Sequence, residues 1–218
     1  MAIKSAHTAI LLTVAATPAT AGISCPADKI EAVELISKHE TLQQSNPGIL
    51  DRGHGRVEVK HYFSRKGDEY VLENGENRLP DVDAFAATGN LSNRWEPYVK
   101  ETWRTGTEAY RSYRNEKGEN NKRSKIMPRD HNPAVAIESV KPGNNTSTVA
   151  GFNCRKVQKT LPNGTTISTC NLKIYGLNQP LGGQKLYKDG SHQTTQVLSL
   201  EQLCVEESLF KVPDRNWK

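Results

Sequence analysis

No stretch of the chain stays apolar for the roughly 20 consecutive residues that a membrane-spanning helix needs, which excludes a helical membrane protein. Apolar residues are scarce throughout: they make up 35% of 218 residues, and the mean hydropathy is −0.66. Counting the 16 glycines brings the figure close to the globular range of about 45–50%, so the core is modest and some loops are long and solvated. No two cysteines have the CxxC spacing of a redox centre or a zinc site. No G-x-S-x-G nucleophile elbow occurs. Gly182-Gly183-Gln184-Lys185 lacks both the first loop glycine and the Ser/Thr after lysine that a phosphate loop requires. Internal repeats are absent.

The N-terminus has the anatomy of an export signal. Lys4 precedes an apolar run from Ala9 to Ala16, and the small residues Ala19 and Ala21 stand ahead of Gly22. Residues 1–21 are therefore expected to be a signal peptide, and residues 22–218 one β-rich domain, periplasmic or secreted. Removing the signal takes away one lysine and no acid, so the net charge falls from +5 to +4. Four cysteines remain, Cys25, Cys154, Cys170 and Cys204, and an even number in an exported chain points to two disulfides. Cys154 and Cys170 flank a turn at Pro162-Asn163-Gly164, which favours that pair and leaves Cys25 for Cys204. The other two pairings stay open, as does lipidation of Cys25.

Along the chain, Ser24, Pro26 and Asp28 form a helix-start signal, and Ile30, Val33, Ile36 and Leu42 recur at helical spacing, which predicts a helix over about 27–45. From Gly55 the period becomes two. Val57, Val59, His61 and Phe63 alternate with polar neighbours, and Lys66-Gly67-Asp68 turns the chain into Glu69–Glu73, a β-hairpin. Asn74-Gly75 predicts a second turn. Asp81–Phe85 can start a short helix. Further strands are expected at Thr107–Asn115, Ser124–Met127, Ala134–Val140, Thr148–Thr160, Thr165–Tyr175 and Gln184–Tyr187, and a C-terminal helix at Leu198–Leu209. The fold class is α+β: a β-rich, curved antiparallel sheet with an N-terminal and a C-terminal helix, stabilised by disulfides.

The strand start Val149-Ala150-Gly151-Phe152-Asn153-Cys154, after meandering hairpins and the expected N-terminal helix, resembles exported LolA-like half-barrel families related to periplasmic lipoprotein carriers. The resemblance covers mainly 55–175. It implies an open half-barrel wrapped around a helix, often enclosing an apolar groove, with Gly151 permitting a bend and Phe152 packing inward. Cys25 and Cys204, the polar stretch at 115–125 and the C-terminal segment depart from it.

The leading functional expectation is a non-enzymatic exported binding or accessory protein that holds an apolar or lipid-like ligand against inward positions Val57, Val59, Phe63, Val71, Phe152 and Val157. A second comes from charge. Between positions 104 and 129, eight basic residues face three acidic ones, Glu108, Glu116 and Glu119. Arg104, Arg111, Arg114, Arg123, Lys125 and Arg129 lie in or beside the aromatics Trp103, Tyr110 and Tyr113. Such a stretch suits an anionic membrane surface or protein; export argues against nucleic acid. The alternative is a solvated hairpin tip kept soluble by its charge, the usual role of charge runs on loops. A third reading, a secreted hydrolase, rests on Asp130-His131, for which no motif places a nucleophile. His54 and Glu58 share a strand face while His61 points away, so they do not form a metal set. No cofactor is implied.

Overall fold

Alternating polar and apolar residues dominate the chain, and the computed structural model, which describes residues 22–42, 54–90 and 92–218, turns them into one antiparallel sheet of twelve strands. These are β1 (Lys29–Leu42), β2 (His54–Ser64), β3 (Glu69–Pro80), β4 (Asn93–Thr105), β5 (Glu108–Asn115) and β6 (Gly118–Lys125). They continue as β7 (Ile137–Glu138), β8 (Thr146–Val149), β9 (Phe152–Thr160), β10 (Thr166–Ile174), β11 (Leu177–Leu186) and β12 (His192–Glu206). The short helix α1 (Val82–Thr88) joins β3 to β4, started by the Asp81 side chain accepting from the Ala84 N–H at 3.0 Å.

The chain's first described strand, β1, lies in the middle of the sheet. The chain steps strand by strand from β1 to β6 at one edge, crosses over through residues 126–145, and steps back from β8 to β12, which lies against β1. On the way, β7 pairs with β10. An open sheet this wide has to twist and curl.

Where an N-terminal helix was expected, the chain is strand β1. The reason is position. Buried β1 residues point both ways: Val33 and Leu35 pack with Phe63, Leu172, Ile174 and Leu200, while Ala32 packs with Tyr70, Trp103 and Val205. A strand covered on both faces loses its alternation, and its apolar residues then imitate helical spacing. The expected C-terminal helix fails for the same reason. Leu200 and Leu203 belong to β12 and join opposite clusters, and only Glu207–Phe210 winds into a 3₁₀ turn.

Two further turns move. Asn74-Gly75 is no turn but part of β3, and the glycine serves a close approach: a Cβ there would sit 2.6 Å from Cζ of Tyr98, its partner on β4. The single strand expected over Thr148–Thr160 is instead the hairpin β8–β9, with Ala150 and Gly151 at φ 49° and 82°, the left-handed pair of a type I′ turn. The strand at Ala134–Val140 shrinks to two residues, and the one at Gln184–Tyr187 is the end of β11.

Both faces are covered in part. Ala136 and Ile137 of the crossover lie in the cluster on the Val33 face, and Phe210, Val212 and Trp217 of the C-terminal segment lie on the Ala32 face. Cys154 bonds Cys170 and Cys25 bonds Cys204, so Cys25 carries a bridge. Among the described residues, no helix is long and apolar enough to cross a membrane. The expected signal peptide lies outside the described residues.

The Cys25–Cys204 bond closes 179 residues of sequence. Replacing both cysteines by serine is expected to cost about 4 kcal/mol in urea unfolding, because the cross-link restricts the unfolded chain. A loss under about 1 kcal/mol would show that β1–β12 pairing already holds the ends together in the unfolded state.

Candidate functional site

Residues directly opposite in an antiparallel ladder point to the same face. One such row crosses eight strands: Tyr98, Gly75, Val57, His39, Thr195, Gly183, Thr169 and Val157. Three adjoining cavities lie along it. The first, about 550 Å³, is lined by Val57, Gly75, Pro97, Tyr98 and Val99 with His39 at its inner end. The second, about 310 Å³, runs from His39 to Gly182, Gly183 and Thr195, and the third, about 400 Å³, shares the last three and adds Val149, Leu181 and Val197. Lys38, Glu40, Arg56 and Glu58 surround the first; Gln184 and Lys185 border the second.

His39 occupies the middle of this surface. Its Nδ1 lies 2.9 Å from Thr195 Oγ1 and its Nε2 lies 3.3 Å from Ser37 Oγ. Burial lowers its pKa, with Lys185 adding to the effect and Glu73 opposing it. The Tyr98 ring stacks on Tyr113 at 5.3 Å, and burial together with Glu73 pushes its hydroxyl pKa up to about 12.

Of the expected lining residues, Val57, Val59, Phe63 and Val71 do share this face. Only Val57 reaches a cavity of the open row. Val59 is half-buried, and Phe63 and Val71 are buried toward the crossover end. Phe152 packs against the cluster that contains Ala136 and Ile137, while Val157 ends the row 37% exposed.

At that crossover end stands a cluster that sequence reading missed. Glu69, 2% exposed, receives His61 Nε2 at 2.9 Å, Arg129 Nη1 in a close contact, and Arg104 Nη1 at 3.7 Å. Burial raises the Glu69 pKa, but its hydrogen bond with His61 and the charges of Arg129 and Arg104 outweigh this and hold it below the usual carboxylate range. Burial lowers the His61 pKa, so a neutral ring donates its Nε2–H to the carboxylate. The Lys66-Gly67-Asp68 turn sets the register Phe63↔Glu69 and His61↔Val71, which puts His61 diagonally beside Glu69 on one face. That signal was in the sequence.

A second buried carboxylate, Glu31, accepts from Tyr175 Oη at 3.0 Å, Gln202 Nε2 at 2.6 Å and Arg65 Nη1 at 3.2 Å. Tyr175 adopts φ 46° in the β10–β11 turn, and the crossover secures it: Asn132 N–H donates to its carbonyl at 2.8 Å and its own N–H donates to Ala136 O at 3.0 Å.

The basic stretch does not form one surface. Arg104 and Arg111 lie on the face of the open row, Arg114, Arg123 and Lys125 on the opposite one, and Arg129 in the crossover. Its aromatics are engaged in packing. Trp217 meets Trp103 and Tyr110 edge-on at 6.1 and 5.3 Å, and Arg215 sits 5.5 Å over Trp103. Arg123 pairs with Glu108 and lies 5.5 Å over the Tyr110 ring. Asp130 is exposed, and His131, half-buried, tilts against Tyr175 at 6.2 Å with no hydroxyl or thiol bonded to it among the described contacts. Among the described residues, no group of three or more His, Cys, Asp or Glu side chains is arranged to hold a metal ion. Comparison with known proteins finds no matching family model, no matching curated protein and no matching solved structure.

A group whose folded-state pKa is depressed contributes stability above its unfolded pKa and loses it as pH falls. His61 therefore destabilises the fold below about pH 6.5, and Glu69 below about 4.5. Each proton taken up preferentially by the unfolded chain contributes a slope of about 1.4 kcal/mol per pH unit. Stability measured in urea between pH 7 and 5 is expected to fall, and His61→Gln, which keeps a donor for Glu69, is expected to fall less steeply, with His39 still contributing. Identical slopes would remove His61 from the account.

Proposed function

We propose that this chain is a non-enzymatic, exported binding protein that holds an apolar or lipid-like ligand along the open row centred on His39. The observation that carries the reading is the run of three adjoining cavities along one row of paired strand residues, in the 300–1,000 Å³ range of ligand pockets. Valine, leucine and tyrosine side chains supply apolar contact, and Gly182 and Gly183 line the second and third cavities. The charged groups at the border suit the polar end of an amphipathic molecule.

Export belongs to the same proposal. Two disulfides support it, since such bonds persist in oxidising compartments, and the N-terminal residues read as a signal. Kinship with the LolA-like half-barrels is part of it too: an open antiparallel sheet supports that relation, while α1, which buries no residue, is not the enclosed helix the resemblance implies.

The test is a fluorescent fatty-acid probe titrated into the oxidised protein, with lipid extracts analysed by mass spectrometry. Saturable binding is expected, weakened roughly tenfold or more by Val57→Trp, which fills the first cavity. Equal binding by the wild type and Val57→Trp, or none by either, would exclude the open row as the site.

A further inference from the structure

Beneath the edge of the crossover lies a fourth cavity, of about 350 Å³, separate from the open row and bordered by His61, Glu69, Arg104, Arg129, Gly176 and Gln179. Its formal charges balance, Arg104 and Arg129 against Glu69 and Asp130, but the donors of Arg104 are not all used. Both oxygens of Glu69 are committed, Oε1 to Arg129 and Oε2 to His61, and Arg104 stands 3.7 Å away, beyond hydrogen-bond distance. A guanidinium carries five donors, and the Nε of Arg104 is buried without a hydrogen bond. Burial lowers the Arg104 pKa; the Glu69 charge opposes this, and the charges of Arg129 and Arg111 add to it. Asp130, the remaining acid at this cavity, is exposed on its rim, where water and salt screen it.

We infer that this cavity is a binding site for a small oxyanion, the carboxylate or phosphate group of a ligand, taken by the unspent donors of Arg104 beside Arg129. The planar fork of a guanidinium matches either group with two parallel hydrogen bonds. The Gln179 amide adds a neutral partner on the β11 side. The backbone around Gly176 is held in place by the crossover: a Cβ on Gly176 would lie 3.0 Å from the Asn132 nitrogen, so only glycine lets the two segments approach. The site is thus built from β2, β3, β4, β11 and the crossover together, and a ligand in it bridges all five.

The experiment titrates inorganic phosphate and, separately, acetate into the oxidised full chain at constant ionic strength, followed by ¹H–¹⁵N NMR that includes the arginine Nε–H signals. Saturable shifts of Arg104 Nε–H and of the amides of residues 176–179 are expected, with half-saturation near about 1 mM. The tighter of the two probes identifies the group. Arg104→Gln is expected to weaken binding roughly tenfold, and Arg123→Gln, on the opposite face, to leave it unchanged. Shifts that never saturate, that sodium chloride reproduces, or that persist undiminished in a folded Arg104→Gln would overturn the inference. Should Arg104→Gln not fold, the wild-type Arg104 Nε–H signal decides: a saturable shift supports the site and an unmoved signal ends it.

Discussion

Two buried carboxylates hold the crossover to the sheet, and the rest of the architecture depends on them. Glu69 joins β2 through His61, β4 through Arg104 and the crossover through Arg129. Glu31 joins β1 to β12 through Gln202, to the β2–β3 turn through Arg65, and to the β10–β11 turn through Tyr175, whose backbone the crossover grips on both sides. A charge buried this deeply is costly unless it is paired, and removing one partner of such a set typically costs about 3–5 kcal/mol. The two clusters therefore specify where residues 129–136 lie. Apolar contact alone would allow the crossover to slide across the sheet.

That placement makes the two ends of the face unlike. Near Glu31 and Glu69 the crossover inserts Ala136 and Ile137 among Val33, Leu35 and Phe63 and fills the space. Farther along the same strands, no described segment covers the row through His39 in this way, and three cavities adjoin there. The opposite face follows a different rule. Trp103 and Tyr110 are met by Trp217, and the Lys218 carbonyl accepts from the Arg123 N–H at 2.8 Å, so the C-terminal segment occupies both that face and the flank of β6. A chain with few apolar residues thus concentrates them under two straps and leaves one region open.

Local patterns carried much of the fold. The period-two run through Val57, Val59, His61 and Phe63 marked β2 and its face, and the turn at Lys66-Gly67-Asp68 marked the hairpin. Cysteine number and the Pro162-Asn163-Gly164 turn favoured the observed disulfides. Strands β1 and β12 escaped because they sit at the sheet's centre, where burial on both faces erases alternation. Asn74-Gly75 misled because glycine answers two needs, a turn or a close neighbour, and Tyr98 decides between them from 23 positions away. The Glu69 cluster was half legible: the hairpin register brings His61 near, but Arg129 arrives from 60 residues downstream through a connection that no local signal specifies.

Hydrogen exchange tests the role of the two carboxylates most directly, through the Asn132 and Tyr175 amides that bind the crossover to the β10–β11 turn. In Glu31→Gln and Glu69→Gln, those two amides are expected to lose protection while the β1–β12 ladder keeps its own. Protection unchanged at Asn132 and Tyr175, or lost equally across β1 and β12, would contradict the account.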